Sequence, residues 1–186
     1  RELLEVHKPH RAMPWAKPDE NDVVVDGRWS ILIPEDADEL LYLAARDLED
    51  YFAVSMDVFI PVTKTVTDGL QICYLIDPDL KEREYRVIVE AERILLMGAT
   101  SKNCARAGYC LEDEMNLNEG PFLSKQTLKR EYLYSPRMVH SGFGLDEYPN
   151  EHLSAIAQRP LERFWHCFLQ FPQCFDKPVK VFCRLW

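Results

Sequence analysis

The chain has no cluster of lysines and arginines, no apolar run near the length of a membrane span, and no paired cysteine spacing. The first absence, with a net charge of −9 over 186 residues, argues against a nucleic-acid surface, because phosphate contacts need gathered cations. The second argues against a spanning helix, which needs roughly 20 consecutive apolar residues. The six cysteines, at 73, 104, 110, 167, 174 and 183, show no CxxC spacing. They read as reduced thiols of a cytoplasm-like compartment, with disulfides as the alternative. Cys104 and Cys110 fall on different faces of one helix, so neither a bridge nor a metal pair is expected there. Residues 1–11 lack the apolar core of a signal peptide. A P-loop, a GxGxxG, a zinc motif and a nucleophile elbow are all missing, and no cofactor is implied.

What is present is an ordinary globular composition, 47% hydrophobic and 28% charged, enough for one domain with a real core. The stretch that organises it is residues 85–116. Tyr85, Val87 and Val89 alternate with Arg86, Ile88 and Glu90, and after a polar turn comes the apolar run 94–97, which reads as a hairpin with a buried second arm. Gly98 permits a bend and Thr100 or Ser101 a cap, after which Cys104, Ala107, Gly108, Leu111 and Met115 recur on one helical face. Gly108 should let that helix approach the sheet closely.

Around this stretch the chain reads in order. Residues 1–21, with three prolines, form an extended arm with Trp15 as its anchor. Residues 23–25 and 29–33 are strands either side of Asp26-Gly27, a hairpin by their turn chemistry. Ala37, Leu40, Leu41, Ala44, Ala45, Leu48 and Phe52 have helical spacing, with Glu35, Asp36, Asp38 and Glu39 favoured by the dipole of the first turn. Strands follow at 56–62 and 70–76, and after the central elements come a loop at 117–125 and a strand at 127–134. The expectation for residues 22–135 is an α+β two-layer sandwich, a mostly antiparallel sheet with both helices on one face.

Residues 136–157 change character: a strand at 137–141, a loop, and a helix start at 151–157 make a βα unit like the first step of a (β/α)8 barrel. Residues 158–186 carry five basic against two acidic groups, seven aromatics and three of the cysteines, leaving about −12 on the part before them. A strand is suggested there only at 179–185.

Two phrases, ARAGYCLEDEMN and YLYSPRMVHSGFGLDEYPNEHLSAIA, resemble known sequence. They are similar to the end of the non-catalytic N-terminal domain and the first barrel strand in bacterial glycoside hydrolases of the β-hexosaminidase (family 20) type and related α-glucuronidase-like enzymes. The segment WSILIPEDADELLYLAARDLEDYF is similar to that domain's first helix. The match covers roughly residues 22–157. It implies a scaffold domain supporting a catalytic barrel in the same enzyme, with the glycan substrate bound through that barrel. In that family an Asp-Glu pair on a later strand cleaves the glycosidic bond with help from the substrate's acetamido group. That strand does not arrive in this chain, so the chain is expected to be inactive alone. Arg137 matches the family's sugar-binding arginine, although the glycine that follows it in the family is Met138 here. A stand-alone carbohydrate-binding or protein-interaction module using the aromatic tail is the alternative.

The remaining candidates weigh toward plain roles. Asp146-Glu147 follows His140, Gly142 and Gly144, but Leu145 intervenes, and a loop or capping role is expected instead of a catalytic pair. His140, His152 and Asp146 have no fixed metal-ligand spacing. Glu112, Asp113 and Glu114 read as a solvated patch, with a contact to Arg130 or Arg137 as the alternative. Phe164, Trp165, Phe168, Phe171, Phe175, Phe182 and Trp186 read as packing first and as sugar platforms second.

Overall fold

The computed structural model describes residues 7–133, together with strand residues 138–139 and 166–167. The chain divides into two compact units, His7–Leu133 and a second that joins Arg1–Val6 to Tyr134–Trp186.

In the first unit the elements run β1 (Asp22–Val24), β2 (Ser30–Leu32), α1 (Glu39–Ser55), β3 (Val62–Thr63), β4 (Gln71–Ile76), β5 (Glu84–Val89), β6 (Arg93–Gly98), α2 (Ser101–Asn118), β7 (Phe122–Ser124) and β8 (Thr127–Glu131). This is an α+β fold with two helices and mixed sheets. Six strands form the main sheet in the order β3-β2-β4-β6-β5-β8.

The central hairpin and both helices form where the periodicity places them. α1 begins later than its run of acids suggests. Asp38 is the N-cap and accepts a hydrogen bond from the Leu41 amide at 2.8 Å, so only Glu39 lies in the first turn. Thr100 caps α2. At its other end Glu119 takes a left-handed conformation, φ 56°, and Gly120 N–H returns to the Met115 carbonyl at 3.2 Å.

Four expectations change. The main sheet is mixed: β3, β2, β4 and β6 are parallel neighbours, and only β6-β5-β8 is antiparallel. Consecutive strands do alternate in direction from β4 to β6, but β6 inserts between β4 and β5 and so lies parallel to β4. The pair at 23–25 and 29–33 is not a hairpin. The turn exists, with Trp29 N–H donating to the Asp26 carbonyl at 3.0 Å, yet β1 pairs with β7 and β2 joins the main sheet. The loop expected at 117–125 therefore contains a strand, whose Phe122 and Leu123 are buried. The strand expected at 56–62 shrinks to Val62–Thr63, because Met56 and Asp57, the latter at φ 56°, are spent on leaving α1.

The core lies between the sheet and the helices. Ile31, Ile72, Ile94 and Val89 align across four strands, and Tyr74, Leu96 and Val87 form the next row. These side chains share one buried cluster with Leu41, Leu48 and Phe52 of α1 and Cys104, Ala107, Leu111 and Met115 of α2. Tyr74 meets both helices: its hydroxyl donates to the Ala44 carbonyl at 3.3 Å and lies against Gly108. The close approach expected at Gly108 is thus a contact with a phenol. Asn103 ties α2 to the sheet by donating to the Glu82 and Glu84 carbonyls at 2.6 and 3.2 Å.

In the second unit β9 (Met138–Val139) and β10 (His166–Cys167) pair in parallel, Met138 opposite His166. The residues between them, and those after 167, lie outside the described set.

Candidate functional site

α1 carries two kinds of apolar residue. Leu41, Ala44, Ala45, Leu48 and Phe52 point into the core, whereas Leu40, Tyr42 and Leu43 are 37%, 47% and 39% exposed. Leu40 and Leu43 start a stripe that continues through Asp47 to Tyr51 at helical spacing. Tyr51 ends the stripe at α2, donating to the Glu112 carbonyl at 3.1 Å, with the Asn116 side-chain oxygen 3.0 Å away. The stripe therefore follows the seam between the helices.

The N-terminal arm crosses this seam. His7 Nε2 lies 3.0 Å from Asp47 Oδ1, and its ring packs edge-on to Tyr51 with centroids 5.6 Å apart. Arg11 and Ala12 N–H groups bond to the Ser55 carbonyl at the end of α1. Trp15, expected as the anchor, is instead 68% exposed and is held by its indole N–H, which donates to Glu119 Oε2 at 2.8 Å. The other oxygen of Asp47, Oδ2, is buried and has no hydrogen-bond partner among the described residues.

On the opposite face of the sheet Glu84, only 2% exposed, pairs with Arg86 at 2.5 Å and with Lys129 at 3.2 Å. Burial alone would raise its pKa, but these two cations hold it below the usual carboxylate range. Among the acids of the core the same effect of burial prevails. It pushes the Cys104 thiol up to about 12 and raises Tyr51, Tyr74, Cys73 and Cys110. All of these move away from neutrality, the opposite of what a general acid or base needs. Lys102 moves toward it, lowered first by burial and then by the charge of Arg106. Arg106 itself lies 3.8 Å over the Tyr132 ring. Among the described residues no three His, Cys, Asp or Glu side chains gather as metal ligands.

Of the candidates read from the sequence, Glu114 meets Arg130 at 3.7 Å, so that arginine does face the acidic patch. Asp113 is exposed. Arg137, His140, Asp146, Glu147, His152 and the tail aromatics lie outside the described residues. Helical spacing counts Leu40 with the core, although it is exposed, and passes over Leu43.

No protein-family model and no curated protein matches the sequence. Solved structures do. A GH138 enzyme targeting pectin rhamnogalacturonan II aligns at a TM-score of 0.57 with 10% identity, over 84% of this chain and 28% of that one. The GH20 exo-β-N-acetylglucosaminidase of Vibrio harveyi aligns at 0.52 with 13% identity, over 86% and 25%. A β-N-acetylhexosaminidase of Bacteroides fragilis aligns at 0.50 with 14% identity, over 72% and 26%. The chain thus spans between a quarter and three-tenths of these enzymes' lengths. The fold is one that occurs in glycoside hydrolases.

Proposed function

We propose that residues 22–135 are the non-catalytic accessory domain of a glycoside hydrolase, a two-layer body that braces a (β/α)8 barrel beginning at residue 136. The observation that carries this reading is the exposed Leu40–Leu43 stripe along the helix seam. Covering a half-exposed leucine recovers on the order of 1 kcal/mol, a gain that a barrel flank laid on the stripe would supply. The fold neighbours support the same assignment, as does the parallel β9–β10 pair, since parallel neighbours need a long crossover such as the βα step of a barrel.

Bond cleavage then belongs to the barrel, acting on a hexosamine- or uronate-containing glycan, and Arg137 is the residue of this chain assigned to touch sugar hydroxyls. The test has two parts. The 186-residue chain should give no turnover above blank with aryl glycosides of N-acetylglucosamine and glucuronic acid. An alternative reading frame downstream of residue 157 should restore a long barrel with an Asp-Glu pair. Turnover by the chain itself, or a frame without a barrel, overturns the proposal.

A further inference from the structure

On the flank of α1 away from the seam, Arg46, Glu49, Asp50 and Ala53 line an open concavity of about 300 Å³ with Phe59. Phe59 is 70% exposed, and its outward position is built in. Val58 N–H is tied to the Phe52 carbonyl at 3.0 Å, and Ile60 is fully buried. The next residue but one, Val62, donates to Glu49 Oε1 at 3.3 Å. With its neighbours fixed, the ring costs little ordering entropy when something stacks on it.

The rim is equally defined. Glu49 is fully used, one oxygen on Val62 N–H and the other on Arg46. That ion pair orients the guanidinium, which keeps further N–H donors. Asp50 is exposed and makes no hydrogen bond or ion pair among the described residues, so its carboxylate is a free acceptor. The site therefore offers an apolar floor, an oriented donor and an unused acceptor on an open surface.

We propose that this concavity binds one neutral sugar ring. Arg46 and Glu49 neutralise each other, so the net charge of −1 left by Asp50 opposes an anion, while a simple cation would use that carboxylate and leave the remaining Arg46 donors unused. A sugar has an apolar C–H face for the Phe59 ring and hydroxyls that both donate and accept, so it uses every group present. The proposal does not depend on a barrel following this domain.

The experiment is a titration of the 186-residue chain with chitotriose and with methyl β-glucoside, read by saturation-transfer NMR. Tetramethylammonium serves as the cationic comparison. Saturable sugar binding is expected, with a dissociation constant on the order of 1 mM. Phe59→Ala and Asp50→Asn should each weaken it about tenfold, while Trp15→Ala, at another exposed ring, leaves it unchanged. Both site residues are exposed, so unchanged urea midpoints will confirm that the variants fold. Absence of saturation, binding indifferent to Phe59→Ala, or preference for tetramethylammonium overturns the assignment.

Discussion

The Tyr74 hydroxyl occupies the space where a side chain at Gly108 would begin: a Cβ there would stand 2.6 Å from the oxygen and 3.4 Å from Cζ. Glycine is thus required by one phenol that crosses between the helices to reach the Ala44 carbonyl at 3.3 Å. Sheet, α1 and α2 are fixed to each other at that point.

Gly108→Ala should therefore destabilise the protein although it improves helix propensity by roughly 1 kcal/mol. Overpacking costs about 1–3 kcal/mol, and moving the buried Tyr74 phenol aside would break its bond to the Ala44 carbonyl. In a Tyr74→Phe background the oxygen is gone, and the same Gly108→Ala change should become neutral or stabilising. Urea midpoints of the four proteins of this cycle decide it.

Alkaline sensitivity follows from Cys104. Its thiol is raised from 9.0 to about 12, so the unfolded chain releases that proton first as pH rises. The contribution is intact below pH 9 and is lost between 9 and about 12, with a slope of at most ~1.4 kcal/mol per pH unit. Cys104→Ala should flatten stability against pH in that window. Tyr51 and Tyr74, also raised, will keep a residual slope above about pH 10.

Acid sensitivity should come in part from Glu84. Its folded pKa lies below the ordinary value of 4.5, so its contribution is complete above that pH and disappears as pH falls through the folded value. Glu84→Gln should be less stable than the parent at pH 7 and should lose less between pH 5 and 3. Thermal midpoints across that range measure the difference, and parallel curves for the two proteins would refute it.

The sequence shows the helices and the central hairpin because their signals are local. Leu41, Ala44, Ala45, Leu48 and Phe52 recur with the helical period, Asp38 and Thr100 cap by bonds three residues long, and Tyr85, Val87 and Val89 alternate on one arm of the hairpin. The resemblance led to the right fold neighbours. Much less of the candidate sites was legible. Leu40 shares the spacing of the core leucines, so spacing alone cannot show that it stays open, and Leu43, outside that set, gives no sign of forming a stripe with it. The alternation of Met56, Val58 and Ile60 already sets Phe59 on the outer face, and only the structure shows Arg46 and Asp50 beside it. β7 was concealed by Gly120-Pro121, a turn signal that says nothing about the residues just after it.

What the sequence by itself determined is where the chain coils, extends and turns, since caps, periodicity and alternation are interactions between near neighbours. Which strands pair, and which apolar residues of α1 remain uncovered, were decided only by the tertiary structure. The reason is that ladder hydrogen bonds are made by backbone groups every residue shares. A strand such as β4 (Gln71–Ile76) carries no mark of its partner, and β6 became its neighbour because that order lets Tyr74 and Leu96 close one core beneath both helices.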